Sequence, residues 1–303
     1  MTDNLRGALL MMGAMAAYVL NDATIKSLAG GLPTFQIVAL RGIAATAGLA
    51  ILAWATGAAR QPIPRADRRT VALRSAAEVA AFVPFVLALT HMPLADITAI
   101  LQAVPLTITA AGALWLGETV GWRRWTAVAI GFAGVLLIVQ PGGDGFSPWS
   151  GLAVLTVLMV TVRDLVTRRL SPAVPSLKVA TWTAAAVGVL GAGLSLATPW
   201  RPVGAGEAAL TLCAALFILA GYVLSVMAVR VGEIAVVAPF RYTALVWSAV
   251  LGLLLFSEVP DAPTLIGAAL VASTGLYTIW RERHAPRIRP AAPPPGAGPG
   301  DIA

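Results

Sequence analysis

The chain has 303 residues, of which 58% are hydrophobic and only 12% charged, with a mean hydropathy of +0.82. That leaves too little polar surface for a soluble globular domain. The net charge of +7 comes from 21 Lys and Arg against 14 Asp and Glu; the basic residues sit in short loops between apolar runs, which argues against a nucleic-acid-binding face.

A membrane-spanning helix needs about 20 mostly apolar residues, and ten such segments follow one another along the chain. They are 7–27, 34–56, 71–91, 94–117, 122–140, 149–168, 177–197, 208–229, 234–256 and 263–281. The first contains the small residues Ala14-Met15-Ala16, but Asn21 and Asp22 interrupt it and further spans follow, so it reads as a retained helix and not a cleaved signal. The single cysteine, Cys213, lies inside an apolar run and offers neither a disulfide framework nor a metal-ligand spacing. Beyond residue 281 the chain turns basic and then Pro/Gly/Ala-rich, so 284–303 is expected to be a disordered tail.

Asp22, Lys26, Pro33 and Thr34 recur 142 positions later as Asp164, Arg168, Pro175 and Ser176. A second match runs from Gly112 to Glu118 against Gly252 to Glu258, at an offset of 140, and each is followed by a Gly-containing span with Gly131 and Gly134 or Gly267 and Gly275. The chain therefore reads as a duplication, with repeats at 1–141 and 142–283. Five spans per copy is an odd number, so the second copy is inserted upside down relative to the first, an arrangement on which many secondary transporters are built.

Lys and Arg accumulate on the cytoplasmic side of a membrane protein. With the amino terminus inside, Arg6, Arg60, Arg65, Arg68, Arg69, Arg123, Arg124, Arg168, Arg169, Lys178, Arg230, Arg281, Arg283, Arg287 and Arg289 lie inside, while only Lys26 and Arg201 lie outside. The expected placement is the cell inner (plasma) membrane, with both termini cytoplasmic.

Three further stretches carry a resemblance. They are Leu94-Ala95-Asp96-Ile97-Thr98-Ala99-Ile100 with Pro105, Leu116-Gly117-Glu118-Thr119-Val120-Gly121-Trp122-Arg123-Arg124-Trp125, and Gly131-Phe132-Ala133-Gly134-Val135 leading to Gln140-Pro141-Gly142. Together with Val236 to Tyr242, Phe256-Ser257-Glu258 and Gly267 to Tyr277 in the second copy, they resemble the EamA family of the drug/metabolite transporter superfamily over roughly residues 7–283. The resemblance implies an all-α membrane protein of ten helices, arranged as two inverted five-helix repeats around a central cavity lined by spans 1, 3, 4, 6, 8 and 9. It further implies transport by alternating access. Members export amino acids and other metabolites, or import riboflavin or S-adenosylmethionine.

Ionisable residues at membrane depth are costly and mark function or pairing. Asp22 and Arg41 fall in the outer third of spans 1 and 2 and are expected to pair; Arg74, Glu78, Arg163, Asp164 and Arg241 fall toward the inner half. Asp22, Arg41, Glu78, Arg163, Asp164 and Arg241 read as gates, with Glu78 and Asp164 alternatively as proton carriers, or else as static pairs. Arg41 has Thr183 as its repeat counterpart, so the halves are not chemically equivalent.

Nearer the midplane, the candidate solute-binding residues are Tyr18, Asn21, Phe82, Phe85, Gln102, Met159, Phe217, Tyr222 and Tyr242, an apolar lining with a few hydrogen-bonding groups. Helix packing or lipid contact is the competing role for each lone Phe or Met. Pro84, Pro105 and Pro239 bend their spans and are candidate hinges.

No phosphate-binding Gly-rich loop with a Lys is present, which argues against ATP-driven transport by this chain or an implied ATPase subunit. His91 and His284 lie at span ends, and no catalytic or metal constellation assembles, so no cofactor or metal is expected. The expectation is a secondary transporter for small metabolites, amino-acid export first, in the lipid bilayer as a monomer or homodimer. Riboflavin or S-adenosylmethionine uptake is the alternative, and behind it an intramembrane enzyme or lipid flippase.

Overall fold

The computed structural model describes residues 2–115, 117, 120–142 and 147–284, and the expected tail from residue 285 onward lies outside them. The helices are α1 (Asp3–Leu28), α2 (Thr34–Ala55), α3 (Arg68–His91), α4 (Leu94–Leu101), α5 (Val104–Trp115) and α6 (Trp122–Val139). The second half holds α7 (Pro148–Thr167), α8 (Ser176–Ser195), α9 (Ala205–Val231), α10 (Ile234–Val237), α11 (Thr243–Phe256) and α12 (Ala262–His284). Grouped into membrane crossings, they give ten segments long and apolar enough to span a bilayer.

Eight crossings are single helices; spans 4 and 9 are broken. Span 4 stops at Leu101 and resumes at Val104, one residue before Pro105, whose missing N–H leaves the Leu101 carbonyl without its helical partner. Span 9 begins as α10, passes through a 3₁₀ turn at Ala238–Tyr242 that contains Pro239, and continues as α11. Pro84, by contrast, lies inside an uninterrupted α3. Of the three candidate hinges, two therefore coincide with breaks, and the breaks occupy equivalent places in the two halves.

The recurring residues have matching structural roles. Pro33 and Pro175 are the residues before α2 and α8, and their carbonyls accept the N–H groups of Ile37 and Val179, each at 3.1 Å. Lys26 closes the last turn of α1, and Arg168 caps the end of α7.

Packing shows the same symmetry. Span 1 lies on span 8 and span 3 on span 6; span 1 also meets span 9, and span 4 meets span 6; spans 2 and 7, 4 and 9, and 5 and 10 pair with each other. Exchanging each span for the one five places on leaves this set of neighbours unchanged. At the α2–α8 crossing Gly42 and Gly188 pack backbone to backbone, and a Cβ on Gly188 would lie 3.2 Å from the Gly42 Cα. At the α6–α12 crossing a Cβ on Gly134 would lie 2.8 Å from the Gly267 carbonyl oxygen. Small residues at such crossings let helices approach closely in lipid.

The core runs along α1, α3 and α4, with Ile25, Leu28, Leu89, Leu94, Ile97 and Ile100 almost wholly buried. Large apolar residues such as Trp54, Trp115, Val189 and Leu254 face outward, as a lipid-embedded surface requires.

Candidate functional site

Three groups of polar residues line up across the helices that pack together. The first lies toward the end of α1. Asn21 is buried; its side-chain amide donates to the Asp22 carboxylate at 2.8 Å, and its carbonyl oxygen accepts from the Arg41 guanidinium at 3.3 Å. Only this orientation of the Asn21 amide serves both neighbours, since a carboxylate needs a donor and a guanidinium an acceptor. The expected Asp22–Arg41 contact pair is thus corrected: Asn21, one residue before Asp22 on the same helix, stands between the two charges. Arg41 is 8% exposed, lies over the Phe82 ring at 5.3 Å, and its Nε is buried without a partner. Phe85 lies beside Phe82, with ring centroids 6.2 Å apart.

The second group is at mid-depth. The Tyr18 hydroxyl is 3.2 Å from the Ser225 hydroxyl, joining α1 to α9, and Gly221 lets the Tyr18 ring lie against α9. The Gln102 side-chain amide, at the break of span 4, donates to the Arg241 carbonyl at 3.2 Å, in the break of span 9. A backbone carbonyl in one break thus meets the side chain at the equivalent break. Met159, Phe217 and Tyr222 are half-buried on α7 and α9. Tyr242 is placed elsewhere: it is buried, and its hydroxyl has no partner and packs against Gly275 of α12. The 3₁₀ turn at 238–242 rotates Tyr242 toward span 10, a rotation that an offset of 140 residues from Gln102 does not encode.

The third group lies toward the end of α7. Both Glu78 oxygens accept from Arg163 at 3.1 Å, Arg74 approaches Glu78 at 3.4 Å, and Arg163 is 2.8 Å from Asp164. Arg74 also donates to the Thr183 hydroxyl at 2.8 Å. Thr183 is the repeat counterpart of Arg41, so here the guanidinium comes from α3 instead. Arg241 is exposed on the 3₁₀ turn and forms no ion pair among the described residues. Its backbone, not its side chain, enters the assembly.

A fourth contact was not anticipated from sequence. Lys26 forms an ion pair with Glu258 and also donates to the Met92 carbonyl, while the second Glu258 oxygen accepts the Leu94 N–H at 2.8 Å. Lys26 also lies 5.1 Å from the Phe256 ring centre. Ser257, in the left-handed region at φ +54°, turns the chain so that Glu258 points back at α1 and α4. The available signal was the repeat itself, which held both Lys26 and Phe256-Ser257-Glu258. The equivalent Glu118 lies outside the described residues.

Beside this contact, Asp261 accepts from the Thr264 N–H at 2.8 Å and from the Gln140 amide at 3.0 Å. Outside the spans, these bonds, led by Thr264, hold its carboxyl below the usual aspartate range. Among the described residues no cluster of His, Cys, Asp and Glu is arranged to hold a metal. The groups brought together bind and pair; none is arranged as a nucleophile with a base.

Comparison with known proteins agrees with this geometry. The EamA-like transporter family pattern matches residues 5–140. A riboflavin transporter from Rhizobium johnstonii is 31% identical over 204 residues, covering 67% of each chain. An S-adenosylmethionine uptake transporter from Rickettsia bellii is 26% identical over 64% of this chain and 66% of its own length. A pseudopaline exporter from Pseudomonas aeruginosa is 26% identical over 88% of this chain and 93% of its own. One solved crystal structure superposes with a TM-score of 0.65 at 20% identity, covering 92% of this chain and 98% of that one. The family and the relatives' names indicate a transporter and not an enzyme, and the chain is a multi-pass membrane protein of the EamA-like transporter family.

Proposed function

We propose that the protein is a secondary carrier of the cell inner membrane, with both termini cytoplasmic. In this reading it moves small zwitterionic metabolites, amino acids first and outward, by alternating access between repeats 1–141 and 142–283. The observation that carries this reading is the meeting of two broken spans. Spans 4 and 9 open at equivalent places, and Gln102 reaches across to the Arg241 carbonyl. Discontinuous helices facing each other at mid-membrane are where carriers of inverted-repeat design hold their solute. Around that point Tyr18, Phe82, Phe85, Met159, Phe217 and Tyr222 supply apolar and aromatic wall, with Asn21 and Gln102 as hydrogen-bonding groups.

The partly buried charges on either side serve as gates. The Lys26–Glu258 contact closes the outer end, and the Glu78, Arg163 and Asp164 cluster works at the inner end. A solute panel in proteoliposomes, with and without an imposed pH gradient, tests the reading. Counterflow of labelled amino acids supports it; a lipid-flipping signal without solute movement contradicts it.

A second reading, uptake of riboflavin or S-adenosylmethionine, is favoured by the names of the relatives. The same panel separates it: accumulation of either compound, with no movement of amino acids, selects uptake of vitamin-like or cofactor-like solutes.

A further inference from the structure

Arg41 is a guanidinium with five N–H donors, placed on α2 and only 8% exposed. Its one hydrogen bond among the described residues goes to the Asn21 side chain, at 3.3 Å, and its Nε has none. Buried arginine is ordinarily satisfied by a carboxylate, most often through two parallel bonds. Here the nearest carboxylate, Asp22, is held off by Asn21 and takes its own bond from the Asn21 amide at 2.8 Å. Glu78, the other carboxylate acting on Arg41, is already engaged by Arg163 and Arg74. The result is a positive and a negative group kept apart by a neutral spacer, on adjoining helices, over the aromatic wall of Phe82 and Phe85.

Leaving buried donors unpaired is costly, and such an arrangement is explained when a ligand completes it. We infer that Arg41, Asn21 and Asp22 form a receptor for a zwitterion: the Arg41 guanidinium takes the solute carboxylate, and the Asp22 carboxylate takes its ammonium. Phe82 and Phe85 face an apolar or aromatic side chain. The receptor becomes accessible when the Lys26–Glu258 contact beyond it opens. This rests on the carrier reading above and narrows its substrate class to solutes bearing both charges. The second half holds Thr183 where the first holds Arg41 and Arg163 where it holds Asn21, and its guanidiniums, Arg74 and Arg163, are already paired with Glu78 and Asp164.

Thermal melting of the detergent-purified full chain, followed with L-phenylalanine, L-leucine and L-methionine, tests the assignment. Each is compared with its amide, its decarboxylated amine and its desamino acid. The expected result is that an intact amino acid raises the melting temperature and that each of its analogues requires about tenfold more ligand or beyond, because removing a group leaves a buried partner unpaired. Arg41→Gln makes acid and amide equivalent, and Asp22→Asn makes amino acid and desamino acid equivalent. Arg41→Lys, which keeps the charge but not the fork, retains a weakened preference for the acid. The comparison of acid with amide in the unaltered protein decides the matter even if a variant fails to fold. Equal binding of acid and amide overturns the assignment. If proteoliposomes move riboflavin, which carries neither group, and no amino acid binds, the assignment falls while the carrier reading stands. If no solute moves at all, the carrier reading falls and the assignment with it.

Discussion

Lys26 and Glu258, 232 residues apart, form an ion pair that ties the end of α1 to the loop before α12. Glu258 simultaneously accepts the first N–H of α4, and Lys26 donates to the Met92 carbonyl, so one contact fastens three parts of the chain. Their side chains are 12% and 20% exposed, which shields the pair from solvent screening. In the carrier reading proposed above, this contact is the latch of the outer end.

At the opposite end, Glu78 stands between two guanidiniums. Glu78→Gln is expected to leave Arg163 and Arg74 without their shared carboxylate and to lower stability by about 3 kcal/mol, the low end for breaking one side of a buried pair. The double variant Glu78→Gln/Arg74→Gln is expected to recover part of that loss, since Arg163 keeps Asp164. Thermal melting in detergent measures both; a double variant no better than the single contradicts the pairing.

Tyr242 gives a prediction opposite to that of a solute-binding hydroxyl. Because its hydroxyl is buried, unpartnered and packed on Gly275, Tyr242→Phe is expected to leave transport intact and stability unchanged or raised by about 1 kcal/mol. Gln102→Ala, which removes the bond to the Arg241 carbonyl, is expected to reduce uptake several-fold. Initial uptake rates of the two variants side by side separate the roles.

These two residues show what the sequence revealed and what it concealed. Repeat spacing found the matched positions, and proline chemistry found both breaks. The direction of each side chain depends on the local turn, which spacing does not encode. Asn21 is similar: hydropathy placed Asp22 and Arg41 at one depth but gave no sign that their neighbour would sit between them. The Lys26–Glu258 contact was hidden for another reason. Each residue stood at a span end, where solvated charge is the ordinary expectation, and only the folded topology brings the ends together.

The α2–α8 crossing is predicted to be intolerant of side chains. Gly188→Ala places a methyl group 3.1–3.2 Å from the Gly42 backbone and is expected to cost about 1–3 kcal/mol through helix separation. Gly151→Ala, on α7 with open space around it, is expected to stabilise by up to about 1 kcal/mol through helix propensity. Melting temperatures of the two variants should move in opposite directions.

Asp261 caps α12 through the Thr264 N–H, and its carboxyl is held below the ordinary aspartate range by those bonds. A depressed folded-state pKa contributes stability that is present above the unfolded value and lost as pH falls through the folded one. Melting temperature is therefore expected to decline on acidification below the ordinary aspartate range. Asp261→Asn is expected to flatten that decline slightly, since the group is well exposed. A profile identical to that of the unaltered protein contradicts the role assigned to the cap.

The central claim, that the outer end must open for solute to pass, is tested most directly by locking the Lys26–Glu258 latch. Cys213 is the sole native cysteine, so Cys213→Ser combined with Lys26→Cys and Glu258→Cys leaves one designed thiol pair. The measurement is counterflow in proteoliposomes, using whichever labelled solute the unaltered protein accumulates, before and after dithiothreitol. The predicted result is arrested exchange in the oxidised protein and recovery on reduction; equal exchange in both states, with the disulfide confirmed by mass, contradicts the account.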